Sequence, residues 1–91
     1  MTLLFSPYQL RELQLKNRIV VSPMTQFSCV DGVPGDWHLV HLGRFALGGA
    51  GLVFLEQAAV QEVGRVTYGC LGLWNSQQIA PLARLAQFIQ E

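Results

Sequence analysis

The stretch Arg18-Ile-Val-Val-Ser22, followed by Pro23-Met-Thr-Gln-Phe27, decides how the rest of the chain is interpreted. One isoleucine and two valines form a continuous apolar run, which is typical of a strand buried on both faces of a parallel sheet. The residues after it include a proline and give no helix signal. We therefore predict a first strand over 18–22 that ends either in a simple turn or in a loop shaped to hold something flat and polar.

The next segments repeat the order of loop, helix and strand. Asp36 is a plausible N-cap, and the apolar positions from Trp37 to Leu47 recur at helical spacing. Glycines at 48 and 49 predict the end of that helix and a tight turn, since glycine is common just past a helix C-terminus. The apolar run that follows predicts a second buried strand over 52–56.

The two ends of the chain complete the pattern. Residues 7–22 alternate, which predicts short strands or a hairpin with its bend at Lys16–Asn17. Asn75 or Ser76 could cap a last helix that starts between Ile79 and Ala80, after a loop over 59–74. Strands that alternate with helices imply an α/β fold with a parallel sheet. Two parallel strands do not make a stable sheet, so we expect further elements to cover them.

Composition excludes several classes of function. The 91 residues are 51% apolar and 13% charged, with six basic and six acidic side chains. A net charge of zero and no basic stripe give no support to nucleic-acid binding. No apolar run is long enough for a membrane span, and no signal peptide is evident. Two cysteines, at 29 and 70, form no motif, so we expect free thiols in a reducing cytoplasm.

Three motifs carry a resemblance that covers essentially the whole chain: NRIV-SPM at 17–24, GGAGL at 48–52 and GR-T-G--G-W at 64–74. In combination they resemble the N-terminal end of the Old Yellow Enzyme family, the flavin-dependent NAD(P)H oxidoreductases, and within it the xenobiotic-reductase-like branch. The resemblance implies that residues 1–91 are the N-terminal quarter of a TIM barrel, with a hairpin and two βα units. A complete barrel needs roughly 250 residues.

The resemblance also implies a site and its ligands. FMN is the implied cofactor and NADPH or NADH the reductant, and an activated alkene is the implied substrate. The resemblance leaves open whether the full-length protein is a homo-oligomer. The family's catalytic His/Asn pair and FMN-phosphate site would lie beyond residue 91, so no catalytic residue is assigned. The implied FMN-binding residues are Ser22, Pro23, Met24, Thr25 and Gln57, and Phe27 is the implied substrate contact.

Three of these positions depart from the family's pattern. Thr25 stands where the bacterial branch commonly has cysteine, and a hydroxyl is a stronger donor than a thiol. Phe27 stands where tyrosine is frequent, so it keeps an aromatic wall and lacks the hydroxyl. Gln57 stands where a small residue is usual. The contact with FMN that the resemblance implies is made by the main chain, so a larger side chain leaves it in place.

Other residues favour simpler interpretations. His38 and His41 have i, i+3 spacing, but without further ligands we interpret them as helix-face residues and predict no metal. The Gly48–Gly51 segment precedes a strand rather than opening a helix, so it is not a phosphate-binding loop. Arg65 could organise a loop over the barrel mouth or lie on the surface. The competing hypothesis for the whole chain is a fragment without activity or a module that completes a barrel with another chain.

Overall fold

The computed structural model describes residues 2–90, which form short strands and two main helices. Positions 1 and 91 of the predicted domain lie outside the described residues. Short 3-10 turns cover Leu3–Phe5, Glu62–Gly64 and Ser76–Gln78. The strands are β1 (Tyr8–Leu10), β2 (Leu13–Leu15), β3 (Val20–Val21), β4 (Leu52–Val53), β5 (Ala58–Ala59) and β6 (Leu71–Gly72), and the helices are α1 (Asp36–Leu47) and α2 (Ile79–Gln90).

Strands β3 and β4 pair in parallel, with Val20 opposite Leu52 and Val21 opposite Val53. The sequence predicted this pairing, and the structure confirms it. Both strands are shorter than the predicted 18–22 and 52–56. The ladder extends only as far as the hydrogen bond from Phe54 N to Val21 O, at 3.1 Å. Of the other residues predicted as strand, Arg18 lies in a bend, and Ile19, Ser22 and residues 54–56 are not part of a strand.

The N-terminal hairpin bends at residues 11–12, so the predicted bend at Lys16–Asn17 was wrong. Strands β1 and β2 pair antiparallel, and Arg11 takes a left-handed conformation with φ 51°. Asn17 has a different role. Its side chain accepts from Ile19 N at 3.0 Å and donates to Gly49 O at 2.7 Å. Asn17 thus ties the start of β3 to the turn after α1, where Gly49 adopts a φ of 93°.

Helix α1 begins at Asp36, with Gly35 rather than Asp36 as its N-cap. The predicted cap was displaced because a ring nitrogen of His38, Nδ1, accepts the hydrogen bond from the Gly35 N–H at 3.1 Å. Asp36 lies in the first turn instead, where a negative charge is favourable next to the helix dipole. It also pairs with Arg84 of α2 at 3.0 Å on the surface. The helix ends at Leu47, as predicted.

Helix α2 begins at Ile79, which confirms the sequence prediction. The Asn75 side chain accepts from Gln77 N at 2.9 Å and so caps the short turn that leads into it. Pro81 lies in the first turn, where its missing N–H has no helical partner to lose. The helix packs on α1, and at the helix–helix contact Gly43 lies directly against the ring of Phe88.

The segment predicted as a loop over 59–74 contains a second parallel pair. Ala58 of β5 lies opposite Leu71 of β6, and Ala59 lies opposite Gly72. Sequence patterns missed it because two-residue strands leave no measurable alternation. Leu71 is fully buried there, at 0% exposed. None of the helices in residues 2–90 is long and apolar enough to cross a membrane.

Candidate functional site

The carboxyl ends of β3 and β4 meet at one edge, because the strands are parallel and Val21 pairs with Val53. The segment after β3, residues 22–27, is here called the strand-end loop. It contains the predicted residues Ser22, Pro23 and Met24, all of which are exposed. Thr25 is half-buried, and Gln57, on the segment after β4, is exposed. Ligands of parallel α/β folds bind at such strand ends.

A hydrogen bond connects the two segments beyond the strands. The Gln26 N–H donates to Oε2 of Glu56 at 3.4 Å. Thr25 and Gln57 are the chain neighbours of these two residues, so the structure brings both predicted segments to the same edge. What they offer there is uncharged: hydroxyl, amide, thioether and main-chain groups.

Phe27 closes the strand-end loop in a strained conformation. It takes a left-handed φ of 53° and its side chain is 53% exposed. Its main chain lies directly against Gly69, where no side chain would fit. The Cys29 N–H donates to Gly69 O at 3.0 Å on the same side. The 69–70 segment therefore supports the loop from behind and leaves the Phe27 ring available for contact.

Behind the edge lies a buried cluster of Cys29, His38 and Glu56. Nε2 of His38 is 3.1 Å from Oε1 of Glu56 and 3.4 Å from the Cys29 sulfur. The three residues come from three separate segments and are 6%, 1% and 7% exposed. The interpretation of His38 as a helix-face residue without further partners is therefore corrected. No sequence pattern indicated the cluster, since only folding brings the three residues together.

The hydrogen bonds of His38 define what the cluster can do. Thiolate, imidazole and carboxylate are ligand types for zinc, and the three ligand atoms lie within 4.8 Å of one another. However, Nδ1 accepts the Gly35 N–H, so the ring proton of neutral His38 is on Nε2. That nitrogen then donates to Glu56 and has no lone pair for a metal. We interpret the cluster as a buried hydrogen-bond network; the absence of a metal stays a prediction.

The environment shifts three pKa values near this cluster. Burial, followed by the charge of Glu56, raises the pKa of the Cys29 thiol to about 12. The main-chain N–H of Thr67, 3.3 Å from the sulfur, lowers the pKa of Cys70. Burial and then Arg44 lower the pKa of His41. The predicted free thiols are confirmed, since both cysteines are unpaired and buried.

Gln26 is a residue that sequence reasoning did not single out. Its side-chain oxygen accepts from the indole nitrogen of Trp37 at 3.0 Å, and its side-chain nitrogen donates to Met24 O at 3.0 Å. Together with its main-chain bond to Glu56, these contacts fasten the strand-end loop to α1. A glutamine in a loop carries no sequence signal for such a role.

Arg65 organises its own loop. Its guanidinium lies 5.1 Å above the ring centre of Tyr68 and 5.3 Å above that of Trp74, and it pairs with Glu62 at 3.3 Å. Cation–π contacts of this kind hold an exposed loop together weakly. Of the two alternatives left open for Arg65, the contacts favour an organising role over a free surface position.

Comparison with known proteins assigns this chain to a class of flavin oxidoreductases. Residues 3–91 match the model of the NADH:flavin oxidoreductase / NADH oxidase family. An NADPH dehydrogenase of Listeria monocytogenes (serotype 4a) is 52% identical over 87 residues, covering 93% of this chain and 26% of the relative. An NADPH dehydrogenase of a Geobacillus strain is 41% identical over 92 residues, covering 99% of this chain and 27% of that relative.

The solved structures agree. Morphinone reductase superposes with a TM-score of 0.86 at 30% identity, over 96% of this chain and 23% of that chain. The old yellow enzyme homologue of Zymomonas mobilis superposes with a TM-score of 0.85 at 25% identity, over 96% of this chain and 24% of that chain.

The chain belongs to the NADH:flavin oxidoreductase / NADH oxidase family. The resemblance to Old Yellow Enzymes is thereby confirmed, as are FMN and NAD(P)H as the cofactors of the family to which it belongs. The α/β prediction is confirmed, while the described residues form three two-stranded sheets and no closed barrel. The chain spans about a quarter of the length of its curated relatives, 26% for the Listeria protein.

Proposed function

We propose that residues 1–91 are the N-terminal part of a (β/α)8 barrel that reduces activated alkenes with NADPH or NADH through bound FMN. The observation that carries this proposal is the parallel pairing of β3 and β4, which puts the strand-end loop and Gln57 at one carboxyl edge. In barrels of this architecture the active site lies at that edge. The NADPH dehydrogenase of Listeria monocytogenes, at 52% identity, supports the choice of reaction class.

The residues at this edge fit an isoalloxazine ring. The ring is flat, apolar on its faces and polar along one edge, and the strand-end loop offers exposed main-chain groups, the Met24 thioether and the Thr25 hydroxyl. When bound, FMN would supply the hydride chemistry between NADPH or NADH and the β-carbon of the alkene, and the α-carbon would take a proton from a group outside residues 1–91 or from water. Thr25 donates a hydrogen bond that favours the reduced flavin, Gln57 offers its main chain, and the Phe27 ring forms one wall for the substrate.

The test uses a complete barrel, made by joining residues 1–91 to the remaining part of the Listeria monocytogenes NADPH dehydrogenase. In this barrel, Thr25→Ala and Thr25→Cys should both lower the reduction potential of the flavin, because each removes or weakens the hydroxyl donor. One neutral hydrogen bond is worth roughly 0.5–1.5 kcal/mol, so the decrease should be modest, and Thr25→Ala should equal or exceed Thr25→Cys.

The measurement is a spectroelectrochemical titration of the bound flavin. Gln77→Ala, at an exposed position of the turn before α2, is the control and should leave the potential unchanged. An unchanged or higher potential in Thr25→Ala would show that this hydroxyl does not touch the flavin.

A non-enzymatic role is the second candidate. Apolar side chains on the parallel sheet are half exposed, with Val20 and Phe54 both at 48%, which suits a module that completes a barrel with another chain. Reading the coding DNA downstream for the missing βα units separates the two candidates.

A further inference from the structure

We propose that Glu56 is a positioning residue for the strand-end loop. Through the main-chain N–H of Gln26 it fixes the orientation of Thr25 toward the flavin. This inference rests on the proposed function, and it assigns a role to a buried carboxylate that touches neither the flavin nor the substrate.

Both oxygens of Glu56 are held. Oε1 is 3.1 Å from Nε2 of His38, and Oε2 accepts the Gln26 N–H at 3.4 Å. The Glu56 side chain is 3% exposed and that of His38 is 1% exposed. A carboxylate removed from water in this way requires its hydrogen-bond donors, so loss of either donor would be costly.

Glu56, which accepts the Gln26 N–H, directly restrains the main-chain conformation of Thr25. The peptide group that carries this N–H also contains the carbonyl of Thr25, and a peptide group is planar. Fixing the direction of the N–H therefore limits the conformations of Thr25. Phe27, one residue further, has a φ of 53°, a conformation that costs free energy and persists only where neighbours enforce it.

His38 connects the carboxylate to a rigid frame. It lies in the first turn of α1, and its Nδ1 accepts the N–H of Gly35 at the helix start. Its Nε2–H consequently points to Glu56. The network runs from the start of α1 through His38 and Glu56 to Gln26, while the Gln26 side chain bonds Trp37 on the same helix at 3.0 Å. Two connections to one helix thus hold the loop.

The experiment measures main-chain exchange and flavin potential in the complete barrel defined above. Glu56→Gln retains the shape of the side chain. It places an amide N–H₂ group where one of the two carboxylate oxygens accepts a hydrogen bond from His38 or Gln26. It should accelerate deuterium uptake in a peptide covering residues 24–27 of the flavin-free barrel, and it should lower the flavin potential in the same direction as Thr25→Ala. In a Thr25→Ala background, Glu56→Gln should produce no further decrease, because the two changes act through one hydroxyl.

A second variant guards against a folding defect. His38→Asn can retain the Gly35 bond, since its side-chain oxygen replaces Nδ1, but it cannot reach Glu56 and should reproduce both effects. Asp36→Asn, on the same helix as His38, weakens only the exposed pair with Arg84 of α2 and should produce neither effect.

Each possible outcome leads to a different conclusion about the positioning role and the proposed function. If Thr25→Ala lowers the potential but neither Glu56→Gln nor His38→Asn does, the positioning role is wrong and the proposed function stands. If Thr25→Ala has no effect, the proposed flavin contact fails, and this inference fails with it. If the shifts of Glu56→Gln and Thr25→Ala add in full, Glu56 acts by another route and the inference is overturned.

Discussion

The side-chain oxygen of Gln78 accepts hydrogen bonds from the main-chain N–H groups of Trp74 and Asn75, at 2.9 Å and 3.0 Å. Its side-chain nitrogen also reaches Asp31 O at 3.5 Å, across 47 residues of sequence. Gln78 is 1% exposed, so one buried amide joins the loop after β3 to the start of α2.

Replacing Gln78 by alanine should destabilise the complete barrel by about 1–3 kcal/mol. The change leaves two part-buried main-chain donors without their acceptor. Gln77→Ala is the matched control, since the neighbouring glutamine side chain is exposed. Chemical denaturation of both variants measures the difference, and equal midpoints would show that water replaces the amide at no cost.

Gly72→Ala should also destabilise the barrel, by roughly 1–3 kcal/mol, through overpacking. A methyl group at this position meets the indole ring of Trp74, which is also packed against Gly32. Gly64→Ala is the control, because no atom lies within 4 Å of a side chain added there. Thermal unfolding followed by circular dichroism compares the two. A Gly72→Ala melting temperature as high as that of Gly64→Ala would mean that the indole moves aside freely.

The two cysteines should differ in reactivity. Iodoacetamide at pH 8 should label Cys70 before Cys29 in the folded barrel, since the Thr67 N–H favours the Cys70 thiolate while burial raises the pKa of Cys29 to about 12. Mass spectrometry of digests measures both rates. In denaturant the two rates should become equal. Faster labelling of Cys29 in the folded state would contradict the assigned environments.

The raised pKa of Cys29 affects the stability of the folded protein at alkaline pH. Between pH 9.0 and about 12, the Cys29 thiol keeps its proton in the folded protein, whereas the same thiol in the unfolded chain loses its proton. The contribution of this thiol to folding stability is therefore complete below pH 9.0 and is lost as the pH rises toward about 12. Cys29→Ala should therefore weaken the decline of unfolding free energy over this range, by at most about 1.4 kcal/mol per pH unit. Urea titrations at stepped pH provide the measurement, and identical slopes for both proteins would oppose the assignment.

Residues 1–91 alone should neither bind FMN tightly nor oxidise NADPH with an enone. Barrel phosphate sites usually follow the seventh and eighth strands, which this segment does not include. Val20, Phe54 and Leu10 are each about half exposed, at 48%, 48% and 45%, so the segment should aggregate or remain loosely packed. Flavin fluorescence titration and dye binding test this. Submicromolar FMN binding by a monomer would falsify the view that this is a quarter barrel.

The sequence by itself determined the repeated strand–helix order, the parallel pairing of the two apolar runs, the end of α1 and the start of α2. Each of these follows from local chemistry. The β-branched run at Ile19–Val21 favours a strand, Gly48 and Gly49 end a helix, and Asn75 caps the short turn that leads into α2. The three motifs that resemble Old Yellow Enzymes also lie along the chain, so the family could be identified from the order of residues alone.

Only the tertiary structure decided the network behind the strand-end loop. Cys29, His38 and Glu56 lie on three separate segments, and whether His38 is a surface residue or a buried donor depends on what α1 packs against. The N-cap at Gly35, the roles of Gln26 and Gln78, and the β5–β6 pair likewise depend on partners from other segments. Sequence periodicity reports which face of an element is apolar; it does not report which distant polar group satisfies a buried donor, because folding alone brings the two together.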